Sequence, residues 1–376
     1  MMFTFSVACQ VIWDGRRRYI PGILAISFSL ILITLQCGIF YGLISSVTVP
    51  IVESSADIWV AYPKTRAGDL ARPISRDWRD ALLSLPEVSQ VDELVMQTNY
   101  WTTRSAVNDL VFVVGLNPGP ESLGPVGRLS AYERGLLAEP GSVILDVSDK
   151  ERLDVSRIGD DGQINGRAVR VVGLIPGMIT LTGSCVLCSL ETARMALRLP
   201  ADQTTYLLVN CRPGFDVNDV VRKINSWREV SAWTAEGFSN QTMAHWIGKT
   251  KAGVAVAFIA LLGLAVGGAV TSQTLYAATA SLVKEFAAMR AMGVPRFRMR
   301  SFVMIQSLVM SVIGLAIGIP SAILLAALAR SLGTEALVPF WLISTASIIT
   351  LIMGILSGLF ASQSLRHVEP ATLLRV

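Results

Sequence analysis

At 376 residues, 52% hydrophobic and 16% charged, the chain is too apolar for a soluble domain of its size. Its net charge of +4 comes from basic residues beside apolar runs, not from a polybasic surface, which argues against nucleic acid as a partner. The excess of apolar residues lies in four runs, Ile20–Leu43, Ala252–Val283, Ser301–Ala329 and Ala336–Leu365, that contain no Asp, Glu, Lys, Arg or His. Each exceeds the ~20 residues an α-helix needs to cross about 30 Å of hydrocarbon.

The predicted fold is a membrane protein with four transmembrane α-helices and a large α+β extracytoplasmic domain inserted between the first two. Residues 1–19 read as an amphipathic cytoplasmic helix. Phe3, Val7, Ala8, Val11 and Ile12 recur at helical spacing, and Trp13 with Arg16, Arg17 and Arg18 suits the headgroup level. Transmembrane helix 1 covers 20–43. Its run is too long for the core of a signal peptide and no Ala-x-Ala site follows it, so it is expected to stay uncleaved.

Residues 44–251 are expected outside the cytoplasm, with 21 Lys and Arg against 24 Asp and Glu. DIWVAY (57–62), LVFVVGL (110–116), SVILD (142–146), AVRVVGLI (168–175) and TYLLVN (205–210) are rich in branched and aromatic residues and predict strands. Asn165-Gly166 predicts a hairpin turn before the fourth. Stretches 75–85, 190–199 and 216–227 carry helical periodicity, with Ser75, Ser189 and Asp216 as N-caps. LNPGPESLGPVGR (116–128) reads as a surface loop or a boundary between two lobes.

Transmembrane helix 2 covers 252–281. The uncharged run that contains it would extend ~48 Å as a helix, longer than the hydrocarbon core, so part of it must project. Residues 282–300, including KEFAAMRAMGVPRFRMR (284–300), form a cytoplasmic helix and loop. Leu282, Phe286, Met289 and Gly293 fall near one face, and Gly293 with Pro295 ends the helix. Transmembrane helices 3 and 4 cover 301–329 and 336–365, and 366–376 is a cytoplasmic tail. Basic residues flank the runs at both termini and in 284–300, whereas Arg330 alone stands between helices 3 and 4. Both termini are therefore expected in the cytoplasm.

Several motifs are set aside. Gly248-Lys249-Thr250 ends like a phosphate-binding loop, but the required earlier Gly is Met243. Cys185-Val-Leu-Cys188, with Cys211, has redox spacing, yet it also fits a strand leading into a helix cap. A disulfide among the three stays open. The two histidines, His245 and His367, fall on opposite sides of the membrane, so no metal or hydrolytic set can be assembled. No acidic pair lies inside the runs, which argues against a proton-coupled carrier. Each run does contain a Gly-x-x-x-Gly: Gly38 and Gly42, Gly263 and Gly267, Gly314 and Gly318, Gly354 and Gly358. Such pairs let helices pack closely, within a bundle or across a dimer.

The basic amphipathic N-terminus, one span, a long outer domain, three more spans, KEFAAMRAMGVPR between spans two and three, and VEPATLLR near the end together resemble the MacB/FtsX-like ABC transporter permeases. SADIWVAYP, VVGLNP and CSLETAR further resemble the DevC-type exporter branch. The resemblance implies a non-catalytic homodimeric subunit in a bacterial inner membrane. A separate ATPase that binds ATP and Mg would grip a coupling helix through Lys284, Glu285, Phe286, Met289, Arg290 and Met292, with Gly293 at its end. It further implies a periplasmic membrane-fusion adaptor, an outer-membrane channel and an amphiphile or lipid-like cargo driven by mechanotransmission. No cofactor is expected in this chain, and membrane lipids surround it. Two alternatives use the same layout: an FtsX-like signalling subunit that activates a cell-wall hydrolase, and a lipoprotein-releasing permease. A receptor without an ATPase would leave the coupling helix unexplained.

Overall fold

A computed structural model describes residues 16–180, 183–249, 252–281, 295–331, 334 and 336–362. The chain divides into a membrane unit, residues 1–42 with 251–376, and an outer unit, residues 43–250. After α1 (Arg16–Ser46) come α2 (Val49–Val52), β1 (Ile58–Ala61), β2 (Ile74–Ser75), α3 (Asp77–Leu83), β3 (Val88–Thr102), β4 (Asn108–Leu116) and α4 (Ala131–Leu137). They are followed by β5 (Ser142–Asp146), β6 (Asp161–Ile164), β7 (Arg167–Ile175), β8 (Ile179–Thr180), β9 (Gly183–Ser189), α5 (Leu190–Leu197) and β10 (Gln203–Thr204). The outer unit ends with β11 (Tyr206–Cys211), α6 (Val217–Asn225), β12 (Ser231–Thr234) and α7 (Ala235–Lys249).

The main sheet runs β12-β1-β11-β3-β4-β9-β5-β7-β6, with β8 beside β9. The long strand β3 joins its two halves. Its first part pairs with β11, Leu94 opposite Tyr206, and its second with β4, Met96 opposite Val114. Its end also meets β6, Trp101 opposite Ile164, so the strands from β3 through β6 return on themselves. That closure requires glycine at 162, where any Cβ would overlap the Trp101 ring. The buried indole N–H of Trp101 donates to the Leu153 carbonyl at 3.2 Å, the partner such a group needs.

The five expected strands are found as β1, β4, β5, β7 and β11, with ends that differ by up to two residues: β1 is shorter at both ends and β11 is shifted by one. Asn165 and Gly166 join β6 to β7 with φ of 49° and 75°, the left-handed pair a two-residue hairpin turn requires. Ser189 and Asp216 cap α5 and α6, accepting from the backbone N–H of Thr192 and Asn218. Ser75 stands one residue before the N-cap position of α3 and accepts from the Asp77 N–H at 3.2 Å. It is taken into β2, paired with Gln203, and the N-cap of α3 is Arg76, without a side-chain bond. The stretch 116–128 is not simply a surface loop, because Leu123 is 3% exposed. It is pinned by Asp92, whose carboxylate accepts from the Ser122 hydroxyl and the Leu123 N–H, both at 3.1 Å.

In the membrane unit, α8 (Ala252–Ser281), α9 (Arg296–Ser331) and α10 (Phe340–Ser362) join α1 as helices long and apolar enough to cross a bilayer. Arg296–Arg300, expected in the loop before the third span, form the start of α9 directly after Pro295. The fourth helix begins at Phe340, not Ala336, because Pro339 disfavours helical conformation in the residue before it. Leu337 instead turns its N–H to the Gly38 carbonyl at 3.1 Å.

Candidate functional site

Lipid removes the hydrophobic drive between helices, so association rests on close packing and interhelical hydrogen bonds. Three of the four glycine pairs face another helix of the same chain. On α8, a Cβ at Gly263 would come within 2.6 Å of Leu32 Cδ2, and one at Gly267 would overlap the Ser29 hydroxyl. On α9, Gly314 lies against Ile26 and Ile23 of α1, and Gly318 against Leu30 and Ser27. On α10, Gly354 and Gly358 meet Ser311 and Ser307 of α9. Gly38 of α1 meets Leu337 and Val338 ahead of α10, and Gly42 is buried in α1.

The glycines do more than leave room. With no side chain beside them, their carbonyls are open to hydroxyls of the neighbouring helix. Ser27 Oγ donates to Gly314 O at 2.9 Å, Ser29 Oγ to Gly263 O at 3.0 Å and Ser357 Oγ to Gly268 O at 3.1 Å. Ser307 Oγ donates to Gly354 O in the same way. Gln306 Nε2 donates to Tyr19 Oη at 3.1 Å, which gives that buried amide a partner. Sequence reading missed these serines. The signal was their presence in charge-free runs, but the acceptors lie far away in sequence and only the fold pairs them. Among the described residues, no Asp, Glu, Lys, Arg or His falls in α1 after Tyr19, in α8, in α9 between Ser301 and Ala329, or in α10.

The expected coupling residues Lys284, Glu285, Phe286, Met289, Arg290, Met292 and Gly293 lie outside the described residues, as does the tail 366–376. The neighbouring stretch on the other side of α8 is described. In the outer unit, α7 is separated from α8 by two residues and docks on the sheet through Phe238. The Phe238 ring lies 5.0 Å from that of Trp233, 5.6 Å from Trp59 and 5.8 Å from Tyr206, centroid to centroid. Phe238, Trp59 and Tyr206 are fully buried. Burial raises the Tyr206 phenol well above its ordinary pKa, and its O–H donates to the Gly68 carbonyl at 2.8 Å. Further along α7, Trp246 Nε1 donates to Asp69 Oδ1 at 3.1 Å. Burial raises the Asp69 carboxyl, an effect that the Trp246 hydrogen bond opposes.

The remaining motifs resolve structurally. Gly248 is inside α7, with nothing within 4 Å of where its Cβ would stand, so this glycine belongs to a helix and not to a phosphate-wrapping loop. Cys185, Cys188 and Cys211 are free thiols. Cys185 and Cys188 sit three apart on β9 and point to opposite faces, each into a different core cluster. Burial pushes both thiols far above their ordinary pKa, which leaves no thiolate for redox chemistry near neutral pH.

Comparison with known families gives two matches. The MacB-like periplasmic core domain matches residues 23–227, more than half of the chain, and the FtsX-like permease C-terminal domain matches residues 257–370. Among solved structures, the periplasmic region of MacB from Actinobacillus actinomycetemcomitans is similar at 12% identity and a TM-score of 0.34, covering 53% of this chain and 96% of that one. The extracellular domain of the noncanonic ABC-type transporter YknZ from Gram-positive bacteria is similar at 12% identity and a TM-score of 0.34, covering 47% and 99%. At such scores neither likeness bears on the assignment, which rests on the family matches. No curated protein matches the chain. Permeases of this type are generally non-catalytic and generally work with an ABC ATPase and periplasmic adaptor components. Four apolar helices, an α+β domain inserted after the first, and family matches across both parts place this chain in the MacB/FtsX-like family, as a multi-pass inner-membrane permease subunit of an ABC transporter.

Proposed function

We propose that the subunit is an exporter permease of the DevC-type branch that works by mechanotransmission, with an amphiphile or lipid-like molecule as cargo. Two copies form a homodimer, with both termini and residues 282–300 in the cytoplasm. A separate ATPase grips each copy there: Phe286, Met289 and Met292 fill an apolar pocket, Lys284, Glu285 and Arg290 pair with its charges, and Gly293 ends the helix. ATP and Mg stay with that partner. A membrane-fusion adaptor and an outer-membrane channel complete the path.

The observation that carries this reading is the charge-free bundle, closed by glycine contacts and serine-to-carbonyl hydrogen bonds. A helix interior without ionisable groups is a poor route for a polar solute. Close packing suits helices that move as a body, since packed interiors shift between discrete arrangements and do not deform continuously. Motion of α8 then passes to the outer domain through α7 and its aromatic docking. The test is co-purification of the ATPase with the Phe286→Asp, Met289→Asp double variant from membranes. Loss of the ATPase with the permease still folded supports the assignment, and an unchanged complex refutes it.

A further inference from the structure

The segment between β1 and β2 contains Lys64, Arg66 and Arg72, which line a cavity of about 470 Å3 together with Tyr62, Thr65 and Leu70. Elsewhere in the outer domain arginines are commonly paired, as Arg76 and Arg194 are with Glu93 and Arg152 with Asp109. Among the described residues, none of the three loop cations has a carboxylate within 4.0 Å. The Arg72 guanidinium lies over the Tyr62 ring, 5.5 Å from its centroid. The loop's own acid, Asp69, is occupied by Trp246 and does not line the cavity.

The backbone that carries these charges is tied down. Gly68 N–H donates to Thr242 Oγ1 at 3.1 Å, Gly68 O accepts from Tyr206, and Thr65 O accepts from Gln241 Nε2 at 2.8 Å. Thr65 and Ala67 are buried while Lys64 and Arg66 are exposed, so the anchoring residues hold the basic ones toward solvent. Gly68 also packs on Ile51 of α2, at 3.1 Å from its would-be Cβ, and on Phe238 of α7. Two residues separate α1 from α2, and two separate α7 from α8. The loop that lines the cavity therefore packs on α2 and α7, the two outer-domain helices that follow α1 and precede α8 in the chain. Beside the cations, Leu70 is 49% exposed and Tyr62 40%. An aromatic ring, an aliphatic side chain and several cations together match a headgroup region, where one side is apolar and the other charged.

We propose that the loop from Tyr62 to Arg72 binds the phosphodiester headgroup of an anionic glycerophospholipid in the leaflet next to the outer domain. Lys64, Arg66 and Arg72 supply charge-assisted hydrogen bonds to the phosphate, and Leu70 and Tyr62 contact the glycerol and the start of the acyl chains. The site is a bilayer contact, independent of which cargo the subunit moves.

The test uses the full chain in detergent, titrated with phosphatidylglycerol or phosphatidylcholine and read by native mass spectrometry. Lys64→Ala, Arg66→Ala, Arg72→Ala is compared with a triple of equal charge change away from the loop, Arg134→Ala, Lys150→Ala, Arg167→Ala. Phosphatidylglycerol affinity is expected to fall at least about tenfold in the first triple and less than about twofold in the second. Equal retention by the loop triple and the native chain overturns the proposal, and so does equal loss in both triples. Full displacement of the lipid by millimolar inorganic phosphate overturns the lipid assignment in favour of a free-anion site. A second measurement needs no variant: phosphatidylglycerol carrying a photoreactive group at the headgroup is crosslinked to the native chain. Labelling within residues 62–72 supports the site, and labelling confined to other segments contradicts it.

Discussion

Ser29 in the membrane unit and Glu93 in the outer domain are both buried polar side chains, 0% and 6% exposed, and their partners differ in kind. Glu93 is held by Arg76 and Arg194, two guanidinium groups. Ser29 donates to the Gly263 backbone carbonyl. The outer domain has water at its edges, so a long Arg side chain can reach from solvent to a buried acid. The membrane helices lack that route, and the serine hydroxyls that bond between them fall on the acceptor a helix exposes where a residue has no side chain. Specificity in the outer domain thus rests on charge and on apolar volume, whereas in the bundle it rests on shape.

Truncating apolar volume should therefore strike the outer domain hardest. Phe238→Ala removes the ring that docks α7 on Trp59, Trp233 and Tyr206 and should cost about 3–5 kcal/mol, seen as a lower midpoint in chemical unfolding of the full chain in detergent. An unchanged midpoint would mean that α7 is held by something other than this cluster. Adding volume should strike the bundle. Gly314→Val puts atoms where Ile26 Cγ2 stands, 2.6 Å from the would-be Cβ, and should cost about 1–3 kcal/mol. The control is Gly248→Ala in α7, which meets nothing within 4 Å and should be neutral or stabilising by up to about 1 kcal/mol. Equal effects at the two glycines would remove the distinction between shape and charge. Ser29→Ala should be the mildest, about 0.6 kcal/mol, measured by the same unfolding assay. A loss as large as that of Gly314→Val would show that hydrogen bonding, not shape, governs the bundle.

The membrane helices were legible because length and absence of charge are properties of a run and need no partner. Strands such as β5 and β11 were legible for a related reason, since their apolar residues are continuous and bounded by turn formers. β3 was hidden because Asp92 and Glu93 interrupt its apolar pattern. Both are buried, and their partners, the Ser122–Leu123 loop and the arginines of α5 and the α3 cap, come from distant segments. The Ser130–Glu133 capping box of α4 was present in the sequence, but no apolar run follows it to mark a helix. The serine-to-glycine contacts and the basic cavity of residues 62–72 were not legible at all. Gly314 lies 287 residues from Ser27, and the loop cations gather only once Gly68 is tied to α2, α7 and β11.

The central claim is that ATP hydrolysed by a partner moves the outer domains of two permease copies through packed helices. It is tested most directly by pulsed electron resonance on the reconstituted complex. A spin label replaces Tyr132, which is 75% exposed, in a chain whose Cys9, Cys37 and Cys211 are substituted, and label-to-label distances between copies are measured with and without ATP. The account predicts a distance distribution that shifts with ATP, and a shift abolished by Gly314→Val in complexes that still bind the ATPase. An identical distribution in both states, while ATP is being hydrolysed, would contradict it.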